Sequence, residues 1–253
     1  MTAPPTSGKR ARKTTAAAKA ELSSAPELTD GADGAQLLTL DRLRRPGRRP
    51  PPEKGRAVKT YDRILRAADE ILGEVGFERL TTNDICARAE ITPPALYYYF
   101  DDKYDVLEEL AIRLLRRQNE AFLVWMFNGG AWANPENRVQ ALVEWYRIAV
   151  EATYSEPGAI WTLRAMRALQ SLAHLRLAEQ RMITDYLFAF LRRLAPQMDE
   201  KVLWTRLRLQ CELALMVEEL ATEEERIPRE VLYLEVARIV AGKFSYDAPA
   251  TLV

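Results

Sequence analysis

The residues best placed to do chemistry lie between Thr81 and Lys103, TTNDICARAEITPPALYYYFDDK, and that chemistry is recognition. The Thr81 hydroxyl can cap a helix, and Asp84 stands three residues on, where a carboxylate can reach back to the cap's own amide. This predicts a helix over about 82–89, with Ile85, Cys86 and Ala89 at helical spacing on one small apolar face. Thr92 offers a second cap, and Pro93 takes the first helical position, where its missing N–H costs nothing. Leu96, Tyr99 and Phe100 then form the buried side of the second helix, with Pro94, Ala95, Tyr97 and Tyr98 on or near the other. Asp101 or Asp102 caps a third helix whose first turn carries Lys103, where the helix dipole is positive and a nearby anion would account for a cation. Two short helices joined by about three residues, the second presenting an exposed face, are the physical description of a helix-turn-helix DNA reader.

Other chemistries have little to stand on. His174 is the only histidine, which argues against catalysis or metal binding built on histidine clusters. Cys86 and Cys211 lie far apart without metal-ligand neighbours, which favours a reducing compartment over a disulfide framework or zinc site. There is no glycine-rich phosphate loop, the carboxylates are spread along helix faces, and no nucleophile has a matched base. We therefore expect no enzymatic activity, no cofactor and no metal. No apolar run approaches a membrane span and no secretory signal opens the chain, so a soluble cytoplasmic protein is expected.

The elements that must position the reader are helical throughout. A first helix over about 57–75 buries Ile64, Leu65, Ala68, Ile71, Leu72 and Val75 and ends at Gly76, while Asp62, Asp69, Glu70 and Glu74 are expected to face mostly solvent. After the reader, periodicity and breakers predict helices over about 103–127, 136–153, 160–170, 172–194, 199–221 and 228–243, with breaks at Asn128-Gly129-Gly130, Pro157-Gly158 and Pro196. Charge is distributed unevenly: residues 1–60 hold thirteen Lys or Arg against six Asp or Glu, whereas 61–105 hold five against ten. The expected organisation is all-α: a basic, low-complexity, mostly disordered arm (1–56), a helix-turn-helix domain (57–105), a helical effector-binding and dimerisation domain (106–243) and a tail (244–253). The arm, through Arg48, Arg49, Lys54, Arg56 and Lys59, either lies along DNA phosphates or is a solvated tail.

The last two helices carry apolar faces wider than one core contact needs. Leu209, Leu213, Met216 and Leu220 on one, and Val231, Leu234 and Ile239 on the other, require either an intramolecular partner or a second copy of the chain. A hollow among the helices could hold a small apolar effector. Its candidate lining is Phe122, Trp125, Trp145, Tyr146, Trp161, Met166 and His174, each of which could equally be ordinary core.

From Tyr61 to Leu107 the sequence resembles the DNA-binding domain of the TetR/AcrR family of bacterial repressors. The pieces that carry the resemblance are ILRAADEILGEVGFERLTTNDICARAEIT, then ALYYYF, then Lys103 and Leu107 at their spacings. Two departures are Glu90 in place of the family's usual turn glycine, and Pro93-Pro94 in place of small or polar residues early in the recognition helix. The resemblance implies a homodimer that sets two recognition helices in successive major grooves of a palindromic operator, about 34 Å apart. It implies phosphate contacts from Thr81, Tyr97 and Lys103, and base-edge contacts from Thr92, Pro93, Pro94, Ala95 and Tyr98, with Asn83 contributing. It also implies a repressor released by its effector. The alternative is a constitutive DNA-binding or architectural protein with no effector, which a continuously filled core would support.

Overall fold

Glycine decides how the first helix meets the rest of the molecule. In a computed structural model, which describes residues 39–127, 135–193 and 196–243, α1 runs Arg56–Arg79 and is interrupted at Gly76 (φ 78°, ψ 173°). That backbone region is essentially closed to other residues. A Cβ there would also lie 3.2 Å from the Trp161 ring, so the absent side chain admits the indole. The sequence places the end of this helix at the same glycine. The structure carries it to Arg79 because Phe77 turns inward and is buried.

The reader follows as α2 (Thr82–Arg88) and α3 (Pro93–Tyr97), and α4 (Lys103–Phe127) leads away from it. Beyond α4 come a 3-10 turn (Pro135–Asn137), α5 (Arg138–Tyr154), α6 (Ala159–Ala168), α7 (Gln170–Leu191), α8 (Glu200–Glu223) and α9 (Arg229–Lys243). These bounds differ from the periodicity by one to a few residues at the ends, where helices fray and caps compete. Among the described residues all regular structure is helical, and no helix is long and apolar enough to cross a membrane. The expected break at Asn128-Gly129-Gly130 lies outside the described residues.

Two apolar clusters share α4. The first joins Ile64, Leu65 and Leu72 of α1 to Ile85, Leu96 and Phe100 of the reader, Leu107 and Ile112 of α4, and Leu163 and Met166 of α6. The second joins Phe122 and Met126 at the far end of α4 to Tyr146, Leu187, Leu207 and Val236. One rigid rod therefore belongs to both cores. α6 is pressed against α1 so closely that a Cβ on Gly158 would fall 2.5 Å from the Asp69 carbonyl oxygen. The contact overturns the expectation that Asp69 faces solvent. It is buried against the Gly158 amide, and that burial pushes its carboxyl up to about 6.

The arm also requires correction. Residues 1–38 and 244–253 lie outside the described residues, but the stretch from Thr39 is ordered against the helical body. It makes a 3-10 turn (Leu40–Leu43) with Leu40 fully buried. Composition favoured solvation because it counts charges and ignores their partners, and α4 supplies the partners.

Candidate nucleic-acid interface and internal cavity

The turn between α2 and α3 is built by backbone bonds. Thr81 accepts from the Asp84 amide (3.1 Å) and donates its hydroxyl proton to the Asp84 carboxylate (2.6 Å). The carboxylate thus engages the cap's hydroxyl instead of its amide, and the hydroxyl proton expected for a phosphate is already used. At the other end of α2, the Ile91 amide donates to the Cys86 carbonyl (3.0 Å) and the Glu90 amide to the Ala87 carbonyl (3.2 Å). This is a Schellman closure, whose left-handed residue is ordinarily glycine and here is Glu90 (φ 51°). Arg63 of α1 holds the strained turn by donating to the Ala89 and Glu90 carbonyls.

The structure sorts the recognition helix as its spacing predicts. Leu96 and Phe100 are fully buried, and Tyr99 packs edge-on to Tyr61 at 5.5 Å. Thr92, Pro93, Pro94, Tyr97 and Tyr98 are exposed, Ala95 is half-buried, and Asn83 is exposed on α2. The Tyr97 and Thr82 hydroxyls are 3.2 Å apart, bracing the two helices at their outer faces.

Lys103 solves the dipole problem without a phosphate. Its ammonium donates to the carbonyls of Phe77 (3.3 Å), Glu78 (3.0 Å) and Leu80 (3.1 Å), the electronegative end of α1. All three of its donors are committed, and Asp102 caps α4 through the Asp105 amide (2.9 Å). Arg48 is committed as well. Its side chain is 8% exposed and donates to Glu108 (3.0 Å), whose own side chain is 0% exposed. Arg45 adds bonds to Glu108 from its amide (2.7 Å) and guanidinium (2.8 Å), and one to Asp105 (2.7 Å). Arg44 forks onto Glu109 at 2.8 and 2.9 Å. Burial pushes the Glu108 carboxyl up, but the Arg45 hydrogen bonds and the nearby Arg48 and Arg45 charges outweigh it and hold the group below its ordinary range.

This strap ends at the reader. The Arg49 guanidinium lies 3.8 Å over the Tyr98 ring and donates to the Tyr98 carbonyl (2.7 Å), beside the exposed face of α3. Lys54, Arg56 and Lys59 follow, all exposed. At the opposite edge His174 of α7 bonds the Leu43 carbonyl (3.0 Å), so it fastens the strap, away from the lining of the cavity beside Phe122 and Trp145.

The second apolar cluster borders a cavity of about 90 Å³. Of the expected lining, Phe122, Trp125, Trp145 and Tyr146 are present, with Phe122 and Trp125 both within 5.5 Å of the Trp145 ring except that Phe122–Trp125 themselves stand 6.1 Å apart. Trp161 and Met166 lie elsewhere: the first covers Gly76 and the second is core between α6 and α1. The wall also contains polar groups that reasoning from the sequence missed: Gln118, Asn119, Glu179, Gln180 and Glu218. Glu218 accepts from Gln118 (2.7 Å) and Thr153 (2.6 Å), and Glu179 from Gln180 (3.2 Å). Burial pushes both carboxyls up to about 8 despite these bonds. The signal was available: Glu218 continues the buried stripe Leu207, Cys211, Leu215, and Gln118-Asn119 continue Leu114-Leu115.

On α8 and α9, Leu209, Val231 and Ile239 are about half exposed, and Leu213, Met216, Leu220 and Leu234 are partly covered.

The family described as bacterial regulatory proteins, tetR family, matches residues 64–110. The transcriptional repressor BepR of Brucella suis is 33% identical over 70 residues, 28% of this chain and 34% of that repressor. The class A tetracycline repressor of Escherichia coli is 40% identical over 52 residues, 21% of this chain and 24% of that one. The chain thus matches about a quarter to a third of these relatives' lengths. The fold likeness is longer. The fatty acid degradation regulator FadR of Bacillus halodurans superposes with a TM-score of 0.57 at 15% identity, over 77% of this chain and 99% of that chain. The SmeT–triclosan complex does so with a TM-score of 0.55 at 20% identity, over 77% and 97%.

Proposed function

We propose, from the tetR-family match over residues 64–110 and the fold shared with solved regulators, that the chain acts in the cytoplasm as a homodimeric transcriptional repressor of that family. In this reading a small effector with a largely apolar body releases it from a palindromic operator. One observation carries the reading. α4 begins beneath the reader, where Lys103 caps α1, and its far half supplies Gln118, Asn119, Phe122, Trp125 and Met126 to the cavity wall. An occupant that fits the cavity better in one setting of α4 shifts the population toward that setting, and with it the spacing of two recognition helices.

The half-exposed apolar faces of α8 and α9, through Leu209, Leu213, Met216, Leu220, Val231, Leu234 and Ile239, support pairing with a second copy. At the operator, Thr92, Pro93, Pro94, Ala95 and Tyr98 read thymine methyls and groove shape, with Asn83 and Tyr97 at the margin. Arg49 supplies the guanidinium that α3 lacks, and Lys54, Arg56 and Lys59 supply phosphate contacts. Thr81, Arg48 and Lys103 leave that set because their donors serve the fold. The cavity between the helices favours this reading over a constitutive DNA-binding protein with a filled core.

Selection from random duplexes with the purified full-length chain should enrich an inverted repeat with half-sites about one helical turn apart, bound by a dimer. Enrichment of no inverted repeat, or binding as a monomer, would overturn the proposal.

A further inference from the structure

We propose, on the reading that this cavity is the effector site, that its occupant is an organic cation: an ammonium head held by Glu218 and Glu179 and an aromatic or apolar body against Phe122, Trp125 and Trp145. Two buried carboxyl groups at one cavity are the first observation. Among the described residues neither receives a hydrogen bond from a cation: Glu218 is served by an amide and a hydroxyl, and Glu179 by an amide. The charged groups that face them do not neutralise them. Arg208, packed from α8, is bonded to Glu212, which also takes Arg176 (3.0 Å). Glu219 and Glu212 add negative charge, and Arg138 at the start of α5 is one positive charge on the cavity wall against the two acids.

The second observation is independent of charge. Tyr146, 1% exposed and part of the cavity wall, keeps a buried hydroxyl with no hydrogen-bond partner among the described residues. A buried polar group left unmade is expensive, and a ligand donor is one way to complete it. An ammonium can donate to three acceptors at once, which suits two carboxyl groups and a phenol oxygen. The aromatic wall adds attraction between ring faces and the same positive charge. A carboxylate ligand gains no such pairing and is repelled once either acid ionises, and a neutral hydrocarbon leaves the Tyr146 hydroxyl without a partner.

The site also implies a proton balance. Burial raises both carboxyls to about 8 and so favours their protonated forms at neutral pH, and a bound cation displaces a proton from the acid it pairs with. Affinity for the cation therefore rises from pH 6 to pH 8, by up to about tenfold per unit for each proton released.

Three probes of matched size test the assignment on the full-length chain by calorimetry and tryptophan fluorescence: 2-phenylethylammonium, propylbenzene and 3-phenylpropionate. The ammonium should bind at least about tenfold tighter than either other probe, a difference one charge-assisted hydrogen bond can supply. Glu218→Gln and Glu179→Gln should each remove most of that preference while leaving propylbenzene affinity within about twofold, and Tyr146→Phe should weaken the ammonium alone. Equal or tighter binding of the neutral or anionic probe, unchanged ammonium affinity in both carboxyl variants, or no saturable ammonium binding at millimolar concentration each overturns the proposal. Operator affinity measured in parallel separates the two readings. Selective ammonium binding that leaves operator affinity unchanged sinks effector release and keeps the site, whereas release by a neutral compound alone does the reverse.

Discussion

Glu108→Gln isolates what the strap contributes. The wild-type carboxylate, fully buried, accepts from the Arg45 amide (2.7 Å), the Arg45 guanidinium (2.8 Å) and Arg48 (3.0 Å). Glutamine offers a single carbonyl to these donors and turns its own amide toward them. Arg45, 37% exposed, recovers part of its loss from water, whereas Arg48, at 8%, retains Asp105 at 3.7 Å and the face of the Phe100 ring at 5.6 Å. Charge-assisted bonds contribute about 1.5–3 kcal/mol each. Losing one outright and weakening the others gives a destabilisation of about 3 kcal/mol, or roughly 6–12 °C in Tm for a chain this size. The Glu108 carboxyl titrates below its ordinary range, so its stabilisation is present above the unfolded value and is lost as pH falls through the folded one. The gap between wild type and variant should therefore be full at pH 7 and shrink below about pH 4. Urea denaturation across that pH range measures it, with Glu120→Gln on the exposed side of α4 as a control expected within about 0.5 kcal/mol. A Glu108→Gln effect no larger than the control's, or a gap independent of pH, would refute the claim that the strap is locked to α4.

Three other variants test separate parts of the account. Lys103→Met should destabilise by about 1–2 kcal/mol, through three lost carbonyl bonds, yet leave the salt dependence of operator binding unchanged; a slope shallower by about 1.8, one phosphate for each protomer of the dimer, would restore a phosphate contact. Glu90→Gly should stabilise by about 0.5–1 kcal/mol in thermal denaturation, because glycine adopts the left-handed turn freely and the Arg63 carboxylate pair, at 3.9 Å, is weak. Asp69 is raised to about 6 in the folded chain, so its carboxyl disfavours the folded state increasingly as pH climbs from about 4 to 6. Asp69→Asn should remove that part of the decline in denaturation curves between pH 4 and 7, and an identical pH profile would argue that Asp69 is solvated.

What the sequence determined is what short-range physics decides. The cap at Thr81, the N-cap position of Thr92 (whose hydroxyl makes no cap bond), the proline at position 93 and the three-to-four spacing of Leu96, Tyr99 and Phe100 depend on neighbours along the chain, and they placed the reader and its exposed face. Apolar periodicity placed the remaining helices for the same reason. The fate of charged groups was decided only by tertiary contacts. Arg44, Arg45 and Arg48 look like a solvated arm until Asp105, Glu108 and Glu109 stand some sixty residues away to receive them. Lys103 looks like a phosphate ligand until the end of α1 arrives beside it. Glu179 and Glu218 look like surface acids until five helices close round them. A charge's preferred environment is set by the whole dielectric and every partner within several ångströms, and that information is spread over segments that only folding brings together.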